Sequence, residues 1–198
     1  MMELTDHPAQ KYITALRRGG VVVDYAIFQH DTAGRGLEEH RLAADMAMRH
    51  ISERWEEYVA QTMKDNPKLQ YKQFKHYHWD VSLATATPYP AAKLLEPLTD
   101  PYYVNKPKTA SRTVVTTEGG EYAYAFLEPP YANKFVLKDW MHLNALLFSS
   151  PDNLEVYRWT DNWSNYFEDG KEWWGTFFWT VFDRGHGCFV VIAASSTD

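Results

Sequence analysis

The sequence predicts an α+β domain: a mainly antiparallel sheet, a long amphipathic helix over about residues 37–65, and a second helix over about 134–148 packed on it. Three observations carry that prediction. Strand-like runs gather late in the chain and helix-like runs early, without the regular alternation that builds a parallel sheet. Apolar residues recur at helical spacing from Leu37 to Met63. Two strand-like runs near the C-terminus flank Asp183-Arg184-Gly185-His186-Gly187, a turn sequence. The 198 residues favour one domain, spanning 1–198. A chain of this size buries roughly 70% of the surface its unfolded form exposes.

Pro8 to Arg18 reads as a short helix, with proline suited to the first turn and Gly19-Gly20 to the stop. Val21 to Phe28 is β-branched and apolar, and reads as a strand. In the long helix Leu37, Ala44, Met48, Ile51, Trp55, Tyr58 and Met63 form the apolar stripe, and Asn66-Pro67 ends it. Phe74 to Thr87 alternates and reads as a strand with Tyr77, Trp79, Val81 and Leu83 on one face. Prolines then punctuate residues 88–107, with one helical turn near Ala91 to Glu96. Thr113 to Thr117 and Glu121 to Leu127 read as a hairpin turning at Gly119-Gly120. Lys134 to Phe148 is the second helix and Leu154 to Trp159 a strand. Glu172 to Phe182 and Cys188 to Ala194 form a last hairpin. Its second strand is apolar on both faces and therefore central.

A formal net charge of −6 and a pI near 5.7 predict no nucleic-acid partner, because phosphate binding needs excess Lys and Arg. The same charge argues against an anionic membrane surface. The single cysteine, Cys188, forbids an internal disulfide. With no basic start followed by an apolar run, and no stretch near ~20 apolar residues, a cytoplasmic protein is expected.

The densest signal is aromatic. Five of the eight tryptophans lie between Trp159 and Phe182. Alternation puts Trp173, Gly175, Phe177, Trp179 and Val181 on one face of the penultimate strand, the better core candidate. Trp174, Thr176, Phe178, Thr180 and Phe182 fall on the other. That second face is covered either by a helix such as 37–63 or by a partner, since rigid rings are favoured at interface centres. Just before the hairpin Asp152, Glu155, Asp161, Glu168, Asp169 and Glu172 face only Arg158 and Lys171. Trp174, Phe178 and Phe182, with Asp161, Glu168 and Asp169, are the candidate partner-binding residues, suited to a cationic protein.

The run Trp163-Ser164-Asn165-Tyr166-Phe167, then Glu172-Trp173-Trp174-Gly175, Trp179-Thr180-Val181 and Ser195-Ser196-Thr197-Asp198, resembles in style the C-terminal third of small acidic bacterial immunity proteins that accompany polymorphic toxins. That resemblance implies a cytoplasmic protein that binds and neutralises a toxin domain and has no catalysis of its own. Glu128-Pro129-Pro130-Tyr131 is similar to the Asp-Pro-Pro-Tyr loop of amino-methyltransferases, but with Glu in place of Asp and no glycine-rich cofactor loop after an early strand.

The alternative reading is a small metal-dependent enzyme. On a strand His76, His78 and Asp80 would point the same way about 7 Å apart, like a facial metal triad. The wet face of a half-buried strand explains the same residues without a metal. His40 and His50 lack zinc-protease spacing, no nucleophile elbow or phosphate-binding loop is present, and an apolar strand suits Cys188 as a small hydrophobe. No cofactor is expected.

Overall fold

The computed structural model describes residues 1–30, 36–99, 120–131 and 133–196. Its ordered elements are β1 (Met2–Glu3), α1 (Ala9–Arg18), β2 (Asp24–Gln29), α2 (Leu37–Asp65), β3 (Ala86–Pro88), α3 (Ala91–Leu94), α4 (Glu121–Leu127), α5 (Leu137–Leu147), β4 (Leu154–Trp159), β5 (Thr176–Asp183) and β6 (Cys188–Ser195). The strands form one sheet in the order β1-β2-β6-β5-β4-β3, with every neighbouring pair antiparallel.

The sheet is the middle of three layers, and side-chain alternation decides which residue serves which layer. Tyr25, Ile27, Trp179, Val181, Val190 and Ile192 face α1, α4 and α5. Ala26, Phe28, Phe178, Phe182, Phe189 and Val191 face α2 and the connection between β4 and β5. The central hairpin β5–β6 is buried on both faces, as a run without polar alternation requires. In α2 the buried stripe is His40, Ala43, Ala44, Ala47, Met48, Ile51 and Val59. Beyond Ile51 the helix buries Val59 but leaves Tyr58 exposed.

Both sheet edges are short, with two residues in β1 and three in β3. In β3 the residues that pair with β4 are the odd ones: Thr160 N donates to the Thr85 carbonyl and Tyr89 N to that of Val156. Pro88 therefore faces outward, where a missing N–H blunts the edge against adding another strand.

Two expected strands are replaced. Between Phe74 and Thr87 only Ala86–Pro88 joins the sheet, Val81–Leu83 is a 3₁₀ turn, and Trp79 makes one isolated bridge to Ser164. The reason is local: Asn165 and its neighbours take up the backbone groups of residues 76–80 through a mixture of side-chain and backbone hydrogen bonds, in place of a regular ladder. Glu121–Leu127 is the helix α4, not half of a hairpin. Tyr122, Ala123, Ala125, Phe126 and Leu127 are all buried, so no helical stripe could show in the sequence, and the alanines favour a helix. The companion run Thr113–Thr117 lies outside the described residues.

Candidate functional site

The aromatic strand does not form an exposed surface. Phe178 is fully buried, with its ring edge-on to Trp163 at 5.1 Å and to Phe167 at 6.0 Å. Phe182 packs on Phe189 at 4.9 Å beneath the α2 layer. Trp174 is buried as well, but on the opposite face, against Phe177 at 5.3 Å and with Nε1 donating to the Glu128 carbonyl. Gly175, at φ +121, is the cause: it turns the chain just before β5 and breaks the parity that would have placed Trp174 with Phe178. Trp173, the expected core residue, is instead 57% exposed. Of the six expected partner-binding residues, the three rings Trp174, Phe178 and Phe182 are thus removed from the surface by the chain's own layers.

The three acids remain accessible, on the connection between β4 and β5. Gly170 and Gly175 close this connection: Gly175 N donates to the Gly170 carbonyl, and a Cβ at Gly170 would lie 2.1 Å from the Gly175 oxygen. Asp161 accepts from Thr176 Oγ1 at 2.7 Å, and its carbonyl accepts from Lys171 Nζ. Lys75 Nζ reaches Asp169 at 2.9 Å and Glu168 at 3.5 Å. The acids are therefore held in a partly compensated network, while the Glu168 side chain stays 64% exposed.

Residues 76–80 are laced to this connection. Asn165 Nδ2 donates to the His76 carbonyl, its Oδ1 accepts from His78 N, Ser164 Oγ donates to the His78 carbonyl, and Asp80 N donates to that of Trp163. The two segments frame an open groove of about 380 Å³. Asp80, Asp161 and Glu168 line it with Lys171 as the one ammonium, and Trp79 and Leu83 supply apolar wall. Leu83 is 60% exposed. Ser82 donates to Asp80 from both N and Oγ, which holds that carboxyl below the usual range. Sequence reasoning placed Asp161 and Glu168 correctly on a surface connection but missed Leu83, which it assigned to a strand's buried face.

His76, His78 and Asp80 do not share a strand face. His76 Nδ1 lies 2.7 Å from Glu56 Oε1 and its ring stacks on Tyr71 at 3.9 Å. That hydrogen bond raises the histidine pKa and lowers the Glu56 pKa. Among the described residues no group of three or more His, Cys, Asp and Glu is placed to hold a metal ion. Burial pushes the Cys188 thiol up to about 11. No described helix is long and apolar enough to cross a membrane.

Fold and site together define a three-layer α+β domain with an exposed, net acidic groove beside its sheet. Comparison with protein-family models, with curated proteins and with solved structures finds no match for the chain.

Proposed function

We propose that this chain is a non-enzymatic protein-binding domain, of the bacterial immunity type, that acts in the cytoplasm by occluding a cationic toxin domain. The docking surface is the groove between residues 78–83 and 161–171. One observation supports this reading above others: Leu83, an exposed aliphatic side chain, stands beside Asp80, Asp161 and Glu168 on a connection fixed by Asn165 and Gly170. Acids held in place around an apolar contact suit a basic surface, because charge complementarity speeds encounter while the apolar contact slows release. Fixed geometry also limits the ordering cost of association.

The test is co-expression with the product of the adjacent gene. If that product arrests growth alone and is harmless with this chain, and the two co-elute, the reading holds. A harmless neighbour, or an arrest this chain fails to relieve, removes it.

A further inference from the structure

A second groove, of about 550 Å³, lies between Arg17 at the end of α1 and the C-terminal half of α2. Its charged floor is built around Asp24. Arg54 donates to Asp24 Oδ1 at 2.8 Å, Arg17 reaches the same oxygen only at 3.7 Å, and Tyr166 Oη donates to Oδ2 at 3.1 Å. One carboxylate thus serves two guanidiniums and a phenol, and the Arg17 guanidinium stands beyond hydrogen-bond distance of it. Two further acids stand close by: Glu3, whose carboxyl feels the Arg54 charge, and Glu57 on the rim of the groove. The Arg17 side chain is 40% exposed at the mouth of the groove and Arg54 lies deeper, and Arg is the side chain best suited to forked recognition of phosphate or carboxylate.

The wall of the groove is aromatic and preset. Trp55 and Tyr58 are stacked at 5.3 Å with their planes 28° apart, and Tyr77 leans on Trp55 at 5.8 Å. Trp55 Nε1 is anchored on the Lys75 carbonyl and Tyr77 packs edge-on to Tyr166. Tyr58 is exposed, with an open ring face. Glu57 and Gln61 stand on the rim and offer acceptors. The volume falls in the range of small-molecule sites, roughly 300–1,000 Å³.

We propose that this groove binds a planar ring carrying an anionic group, of the class of a nucleoside monophosphate. The phosphate pairs with Arg17 beside Arg54, the base stacks on the open face of Tyr58, which Trp55 backs, and an exocyclic amine on the base donates to Glu57 or Gln61. Rings stack on aromatic side chains with little sequence preference, so the anion supplies orientation and the rim supplies choice of base. The net charge of −6 disfavours a longer nucleic acid in the same place.

Isothermal titration with adenosine monophosphate and with inorganic phosphate tests this on the full chain. Adenosine monophosphate is expected to bind with a dissociation constant below about 1 mM, and phosphate alone at least about tenfold more weakly. Arg17→Ala and Tyr58→Ala, both at exposed or half-exposed positions, should each weaken the nucleotide tenfold or more while melting as the parent protein does. No nucleotide binding at 5-fold that concentration, roughly 5 mM, overturns the proposal. So does phosphate binding as tight as the nucleotide, or an affinity that neither substitution changes.

Discussion

His40 Nδ1 stands 2.7 Å from Thr180 Oγ1, a contact that joins the first turn of the long helix to the middle of the central strand. The same hydroxyl oxygen accepts from Trp159 Nε1 at 2.9 Å. The threonine hydroxyl has one hydrogen to give and a second lone pair to offer, so it serves either tautomer of His40. Nε2 is 3.7 Å from Glu155 Oε1, too far for a hydrogen bond. Thr180→Val removes the hinge of this relay and leaves two buried nitrogens unpaired. A loss of about 2–4 kcal/mol is expected, read from the midpoint of urea unfolding.

The same environment sets a pH dependence. Burial lowers the His40 pKa to about 4, and burial with the nearby Arg54 and Arg17 lowers that of His50 to about 4. Neither contact to a glutamate is therefore an ion pair at neutral pH. The unfolded chain takes up protons near pH 6.5 while the folded chain does not until near 4, so the folded state binds fewer protons across that window. Stability is complete above the upper value and falls as pH drops towards the lower one, by at most about 1.4 kcal/mol per pH unit for each histidine. Urea titrations between pH 7.5 and 4.5 should show this decline, and His40→Gln should reduce its slope.

Trp173 and Trp174 are neighbours in sequence with opposite fates. Trp174→Ala opens a cavity against Phe177 and removes the hydrogen bond to the Glu128 carbonyl, so a loss of about 3–5 kcal/mol is expected. Trp173→Ala lies at an exposed position and should change stability by less than about 0.5 kcal/mol. Thermal melts of the two variants distinguish the turn at Gly175 from a continuous strand, for which the order would reverse.

Asp183 is a buried carboxylate at the end of β5. It accepts from Ser149 N and Oγ, from Gly185 N and from His186 N, and thereby closes the hairpin turn. Asp183→Ala leaves these donors without an acceptor and should cost about 3 kcal/mol or more, seen as a lowered unfolding midpoint and faster amide exchange in residues 183–188.

The fold was legible wherever one physical cue acted alone. The stripe from Leu37 to Ile51 faces the sheet, so helical spacing located α2, and the doubly buried run at Cys188 to Ala194 announced a central strand. Alternation misled where something else produced it. Tyr77, Trp79, Val81 and Leu83 alternate with polar residues because a loop pinned by Asn165 turns its groups in and out, and no ladder is involved. Tyr122, Tyr124 and Phe126 alternate with alanine in a helix buried on several sides. The acids of the candidate site were legible as composition. Leu83, Lys75 and Asn165 were not, since their roles depend on chain segments some 80 to 95 positions apart.

The groove between residues 78–83 and 161–171 is tested most directly by replacing Leu83 with Asp and Glu168 with Lys. Both side chains are exposed, and Asp169 still holds Lys75. Affinity for the product of the adjacent gene, measured by isothermal titration, should fall at least about tenfold in the double variant while its melting temperature stays within a few degrees of the parent. Equal affinity of the two forms, or no complex with either, contradicts a docking surface at this groove.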